Sequence, residues 1–215
     1  QNVWLPNLGN SIIGHQKYIY YPLHSNPEYS TSIMGVMFQD QITVIEALAK
    51  SIPHDWVVYV KEHPGVMVSR IRPYKMYKRI MSLPNVQIAP VYEETNKIIQ
   101  HSEMVAVVTG TAGWEAILRN KPVIHFVDVF YQCLGLSKKC SDLNLLSNII
   151  REEYLRIEKI TNLERKKRIV AFFASFIKNG FNSKYPHQLL LENGTDEEYL
   201  NAGNQLAVEL IKYIN

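Results

Sequence analysis

Residues 104–126, MVAVVTGTAGWEAILRNKPVIHF, contain the pattern that decides the fold. A β-branched apolar run (104–108) leads into a turn of small residues (109–113), and a helical segment follows that ends near Asn120. A second apolar run completes the stretch. The order of these patterns predicts a strand, a tight turn, a helix and a second strand.

The turn consists of five small residues, Thr109, Gly110, Thr111, Ala112 and Gly113. It leaves the backbone N–H groups of a helix N-terminus free beside two threonine hydroxyls, an arrangement that suits a phosphate. Glu115 lies one turn further on and would repel a bare phosphate, so we expect it to bind a neutral diol such as that of a ribose. The pattern predicts a nucleotide site. Similar turns also occur in α/β domains that bind nothing there, which is the competing interpretation.

A second group of polar residues follows another apolar strand, in residues 56–64, WVVYVKEHP. Pro64 ends strand pairing, which leaves Lys61, Glu62 and His63 at a carboxyl end. Ligands bind at that edge of open parallel sheets. Histidine changes its charge near neutral pH, so His63 can donate to a leaving phosphate, and Lys61 adds positive charge. Alternatively, Lys61 and Glu62 form a solvated pair and His63 is a turn residue.

Four more polar residues fall near predicted strand ends. His24 and Glu28 follow the first strand, so we expect them to contact the donor or acceptor, or else to hydrogen-bond within their loop. Asp128 and Tyr131 lie at the exit of the last strand, where they could approach a base or a sugar. His125 lies inside an apolar run, which favours a packed core position.

The rest of the chain alternates between strand and helix patterns. Strands are predicted at 18–23, 56–62 and 86–89, and helices at 41–51, 70–82 (broken near its start by Pro73) and 95–101. Strands separated by helices of this length imply right-handed crossovers and a parallel sheet. We therefore predict an α/β fold with a Rossmann-like parallel sheet and helices on both faces.

A helical part follows the predicted core. Helices are predicted at 141–153 and 162–178, and Thr195 with Glu198 predicts a capping box that opens a final helix ending near residue 214, after a loop at 181–188. We therefore divide the chain into a linker or the end of a missing N-terminal domain (1–16), a core (17–135) and a helical C-terminal part packing on it (136–215).

Composition limits the class of protein. With 215 residues, of which 47% are hydrophobic, the chain can bury a full core. Its net charge of +3 is too small to indicate nucleic-acid binding, but it is compatible with an anionic sugar nucleotide or with anionic lipid. Cys133 and Cys140 lack metal-site spacing and are predicted to be reduced. We expect a cytoplasmic protein, with any membrane association peripheral and at the inner face.

Three motifs in order resemble the capsular polysaccharide biosynthesis family of bacterial glycosyltransferases, which includes Kdo transferases that use CMP-Kdo. They are KEHP (61–64), TGTAGWEA (109–116) and KPVIHF (121–126), and YYPLHSNPEYST (20–31) upstream is similar as well. The resemblance covers residues 17–131. It implies a GT-B architecture of two Rossmann-like halves in which the C-terminal half holds the nucleotide. This chain would be that half, inactive without the missing acceptor half.

The resemblance also implies roles for individual residues. His63 would contact the donor phosphate, 109–113 would line the nucleotide phosphate and Glu115 would hold the ribose. Lys61, Glu62 and Pro64 would bind the donor nucleotide as well. The substrate would be a CMP-activated sugar such as CMP-Kdo, and the acceptor an oligosaccharide, polysaccharide or glycolipid. No further cofactor is expected, and no metal, since the sequence has no DxD motif.

Two other functions compete with this one: a noncatalytic module that binds a nucleotide sugar or a polysaccharide, and a GT-B-like sugar-nucleotide epimerase. The pairing of an ionisable His-Pro motif with a threonine-rich turn favours the transferase, because a binding module has no need of a proton donor there.

Overall fold

The computed structural model describes residues 9–25, 30–63, 65, 72–179, 195, 197, 198 and 201. The chain separates into two compact units, residues 1–165 and 166–215. The strands of the described part are β1 (Lys17–Pro22), β2 (Trp56–Lys61), β3 (Val86–Ile88), β4 (Met104–Val107), β5 (Val123–His125) and β6 (Lys138–Lys139). Its α-helices are α1 (Gln41–Ser51), α2 (Tyr74–Met81), α3 (Thr95–His101), α4 (Thr111–Leu118), α5 (Leu146–Glu158) and α6 (Asn162–Asn179).

The strands form one parallel sheet with helices packed on both faces. Ile19 and Tyr21 of β1 belong to a core cluster with Leu48 of α1 and with α5. Side chains alternate across a strand, so the neighbouring Tyr18 points the other way, and its hydroxyl donates to the carbonyl of Ile98 in α3 across 2.7 Å. The predicted fold class, a Rossmann-like α/β sheet followed by helices, is confirmed.

The strand order is β3-β2-β1-β4-β5-β6, so the chain leaves β1 in one direction and returns to its other side at β4. Tyr20 pairs with Val105 on that side, and Pro22 pairs with Lys61 on the β2 side. A reversal of this kind opens a crevice at the carboxyl ends of the strands, which is the usual ligand position in such sheets. The loops after β1, β2 and β4 therefore meet at one place.

Some element boundaries differ from those predicted. Pro73 is the N-cap of α2, which begins at Tyr74; residues 70 and 71 lie outside the described part. Helix α5 begins at Leu146 rather than 141, because Asp142 first caps a 3-10 turn by accepting from the N–H of Asn144. Strand β6 was not predicted in the helical C-terminal part. Its two exposed lysines carry no apolar alternation, and only pairing with β5 makes them a strand.

The predicted capping box is confirmed: the N–H of Thr195 donates to Glu198 Oε2 at 2.9 Å, and the N–H of Glu198 donates to Thr195 Oγ1 at 3.3 Å. Most of the final helix, the loop at 181–188, Glu28 and Pro64 lie outside the described residues. The boundaries at 16 and 135 stay predictions.

Cys133 is exposed, Cys140 is buried, and both are free. Among the described helices, none is long and apolar enough to cross a membrane.

Candidate nucleotide site

The N-terminus of α4 lies at the end of the buried strand β4. Gly110 is the N-cap residue, with φ of 101° and ψ of 173°, a conformation that favours glycine. A glycine has no side chain to accept hydrogen bonds from the N–H groups of the first turn, which Ser, Thr, Asp or Asn would do at this position. Thr111, the first helical residue, is exposed beside them. The turn is therefore suited to an external anion.

Tyr131 supports this turn from the protein side. It is fully buried, and its hydroxyl donates to the carbonyl of Gly110 at 3.3 Å. A Cβ on Gly113 would lie 2.1 Å from that hydroxyl, so glycine is required there by close packing. The structure places Tyr131 beneath the turn.

Asp128 is not brought to the crevice. Its carboxylate is exposed and accepts from Lys139 Nζ at 2.7 Å, a hydrogen bond that lowers the pKa of Asp128. It lines a separate cavity together with Met34 and Met37. His125 is buried, as predicted, and its Nδ1 lies 2.8 Å from the carbonyl oxygen of Val127.

Glu62, after β2, is a structural anchor. It is 1% exposed, and its carboxylate accepts from Arg72 Nε at 2.7 Å, from the Tyr77 hydroxyl at 2.6 Å and from the N–H of His63 at 2.7 Å. The neighbouring Lys61 is 5% exposed and donates to Thr95 Oγ1 at 3.0 Å. The alternative interpretation of Lys61 and Glu62 as a solvated pair is therefore wrong. Glu62 shapes the site, and its carboxylate faces the protein.

His63 is exposed at the crevice, and its Nδ1 accepts from the N–H of Gly65 at 3.1 Å. In the neutral ring this hydrogen bond leaves the proton on Nε2. The Nδ1 of His63 is therefore hydrogen-bonded to the backbone of the following turn, and its Nε2–H is available as a donor.

His24 is fixed through its backbone. Its N–H donates to Gln41 Oε1 at 2.7 Å, and its carbonyl accepts from Gln41 Nε2 at 3.0 Å and from Arg72. Its ring lies against Gly110, and its Nε2 is buried with no partner in the described part of the chain. Burial, with the positive charge of Arg72 and the proximity of His63, lowers the pKa of His24 to about 4. The ring is therefore neutral at neutral pH.

Two adjoining cavities open between these loops. One, of about 310 Å³, is lined by residues including Tyr20, Lys61, Thr95 and Glu115. The other, of about 280 Å³, is lined by residues including His24, Thr109 and Gly110. His63, Thr111 and Ala112 line both.

The two cavities differ in chemistry. The first residues of α4 line both, but Gly110 lines only the smaller one, which suits a phosphate, and Glu115 lines only the larger one, where a carboxylate suits hydroxyl groups. Tyr20, Gln41, Arg72, Tyr77 and Thr95 were not predicted as site residues, because Arg72, Tyr77 and Thr95 belong to no motif and all five meet the site only through the fold. In the described residues, no group of three or more His, Cys, Asp and Glu side chains is placed to hold a metal ion.

Residues 15–153 match the family model described as capsule polysaccharide biosynthesis protein. The chain belongs to this family. The matched range contains all three motifs and every described residue of the two cavities, so the resemblance stated from sequence is confirmed. No curated protein matches the chain.

Solved structures of other proteins are similar to this chain. The UDP-GlcNAc 2-epimerase of Methanocaldococcus jannaschii, solved with UDP-GlcNAc and UDP, is 16% identical, with a TM-score of 0.50 over 74% of this chain and 46% of the epimerase. The β-Kdo 2,4 transferase KpsC of Thermosulfurimonas dismutans is 20% identical, with a TM-score of 0.48 over 63% of this chain and 44% of KpsC. The chain spans less than half the length of either protein.

Proposed function

We propose that this chain is the donor-binding half of a GT-B glycosyltransferase that acts in the biosynthesis of capsular or other surface polysaccharide. The donor would be a CMP-activated sugar such as CMP-Kdo, and the acceptor an oligosaccharide, polysaccharide or glycolipid. The observation that supports this best is the crevice at the reversal of strand order, where His63, the uncapped N-terminus of α4 and Glu115 meet.

In the proposed complex the phosphate of CMP lies at the α4 N-terminus and the ribose lies beside Glu115. As the bond between sugar and phosphate breaks, negative charge develops on the phosphate. The N–H groups of the first helical turn and the Nε2–H of His63 are donors fixed in advance for that charge, which is the usual electrostatic route to a lower barrier. The departure step uses these groups in place of a metal ion.

Activation of the acceptor is assigned to the other half of the enzyme. The proposed base and the acceptor site lie outside this chain, so the isolated chain binds donor and transfers nothing. We further propose that the enzyme works in the cytoplasm, at the inner face of the membrane.

Calorimetry on the 215-residue chain against CMP, CDP, UDP and GDP tests the donor assignment. We expect CMP to bind most tightly. Tighter binding of UDP would overturn the CMP assignment, and failure of all four nucleotides to bind would overturn the proposed function. A noncatalytic module would bind nucleotide equally well, so the effect of His63→Ala on kcat separates that alternative.

A further inference from the structure

The ammonium group of Lys61 is a buried cation without an ion-pair partner in the described part of the chain. The residue is 5% exposed, and its ammonium group donates a hydrogen bond to a neutral oxygen, Oγ1 of Thr95. Glu93 is the carboxylate that acts on it electrostatically, but Glu93 lies beyond ion-pair distance and accepts from the hydroxyl of Tyr59. The situation differs from that of Glu62, whose charge is matched directly by Arg72.

An unmatched buried charge is unfavourable, and proteins seldom retain one for stability alone. Burial lowers the pKa of Lys61, which is the sign of this cost. A lysine ammonium carries three N–H donors, and Thr95 occupies one of them. The remaining donors have the cavity of about 310 Å³ beside them.

The same cavity contains a complementary group. The carboxylate of Glu115 lines it and has no hydrogen-bond partner in the described part of the chain. It can therefore accept hydrogen bonds from a ligand. The Tyr20 hydroxyl lies near Thr95, the residue that also binds Lys61. Burial and then the charge of Glu115 raise the pKa of Tyr20, so Tyr20 and Thr95 connect the two sides of the cavity.

We propose that Lys61 and Glu115 together form a clamp for the ribose diol, in which Lys61 donates to a hydroxyl oxygen and Glu115 accepts a hydroxyl proton. The inference rests on the proposed nucleotide function and adds Lys61 as the group that distinguishes ribose from deoxyribose. A diol fits because each hydroxyl is both donor and acceptor. A phosphate has acceptors only, is repelled by Glu115, and has the α4 N-terminus in the adjoining cavity.

The test compares CMP with 2′-deoxy-CMP, measured by calorimetry on the 215-residue chain. For Lys61→Met we expect CMP to bind at least about ten-fold more weakly, the scale of a hydrogen bond to a charged group, and 2′-deoxy-CMP to be affected much less. Glu115→Gln should likewise weaken the binding of CMP more than that of 2′-deoxy-CMP. The fold-loss of CMP affinity in the double variant should be smaller than the product of the two single fold-losses. The control is Lys121→Met, which removes another partly buried lysine outside both cavities.

Stability of the ligand-free chain gives an independent readout. Removing an unmatched buried charge should leave the melting temperature of Lys61→Met equal to or above that of wild type, whereas a lysine kept for structure would melt lower when replaced. Thr95→Val removes the hydrogen-bond acceptor of Lys61 and keeps the lysine, so it should also weaken the binding of CMP. This variant replaces Lys61→Met in the test if Lys61→Met does not fold.

Equal losses for CMP and 2′-deoxy-CMP in Lys61→Met would overturn the clamp and assign Lys61 to a part of the nucleotide that both ligands share. Unchanged CMP affinity in Lys61→Met would overturn it as well. In both cases wild type still binds CMP, so the proposed function survives. Absence of nucleotide binding by wild type would overturn the function and the clamp together.

Discussion

Arg72 Nε lies 2.7 Å from Glu62 Oε2, and both side chains are almost completely buried, with 9% and 1% of their surface exposed. The pair joins two loops of the site. Arg72 also donates to the carbonyl of His24 after β1, and Glu62 accepts from the N–H of His63 after β2. The positions of the two histidines at the crevice therefore depend on one buried ion pair.

Replacing Arg72 by Met should destabilise the chain by about 3 to 5 kcal/mol, because it leaves the carboxylate of Glu62 buried without its countercharge. The free energy of unfolding in urea measures this. Arg79→Met is the matched control: Arg79 pairs with Glu46 at the same 2.7 Å, but the two side chains are 53% and 26% exposed. Arg79→Met should lower the free energy of unfolding by less than about 1 kcal/mol. Equal losses for the two variants would contradict the structural role given to Arg72.

Gly113→Ala should destabilise the chain by about 1 to 3 kcal/mol, although alanine is the better helix former. The added Cβ would lie 2.1 Å from the Tyr131 hydroxyl and 2.9 Å from its Cζ. Thermal or urea unfolding of Gly113→Ala checks the sign. The same substitution in a Tyr131→Phe background should cost less, because the closest atom is gone. A stabilising Gly113→Ala would show that helix propensity outweighs the contact.

The parts of this fold that sequence predicts are those encoded locally. The apolar run at 104–108 and the small residues at 109–113 each act through their own backbone, so strand, turn and helix appear in the sequence as they do in the structure. Strand β6 has no such local signal, because Lys138 and Lys139 become a strand only by pairing with β5.

The site divides in the same way. His63 and Glu115 were predicted because strand ends and helix starts converge in a parallel sheet. Thr95 and Arg72 were not, since their contacts with Lys61 and Glu62 join residues 34 and 10 positions apart. Sequence also does not show which way a side chain turns, so the inward orientation of Glu62 could not be predicted.

Thr111→Val should weaken CMP binding by about 1 to 2 kcal/mol, the scale of one hydrogen bond to a charged group, because it removes a hydroxyl beside the proposed phosphate and keeps the shape. Calorimetry measures the loss. Thr43→Val removes an exposed hydroxyl at the start of α1, where Thr43 donates to Asp40, and should leave the affinity for CMP unchanged. Wild-type affinity for CMP in Thr111→Val would contradict the proposed position of the phosphate at this turn.

The stability of the chain should fall in acid partly because of His24. Burial, followed by Arg72 and His63, lowers its pKa in the folded chain to about 4, below the ordinary value of 6.5. The unfolded chain therefore takes up a proton first as the pH falls through 6.5, and the loss of stability is complete near pH 4. Its size is on the order of 3 kcal/mol.

Urea unfolding of wild type and His24→Asn at a series of pH values checks this. Asparagine does not titrate, so the variant should lose about 2 to 3 kcal/mol less than wild type between about pH 7 and pH 4. His125, whose pKa burial also lowers, contributes the same slope to both proteins and cancels in the difference. Parallel pH profiles for the two proteins would contradict the buried position of the His24 ring.

The last prediction concerns catalysis and is made for the proposed enzyme with both halves. His63→Ala should lower kcat by about 10²-fold or more and weaken CMP binding much less, because a donor to the departing phosphate acts most strongly in the transition state. Steady-state kinetics combined with CMP calorimetry separates the two effects. His54→Ala, which removes an exposed histidine at the opposite edge of the sheet, should change neither. Unchanged kcat with a raised KM would make His63 a binding residue only, and transfer by the isolated 215 residues would show that the acceptor half is not needed.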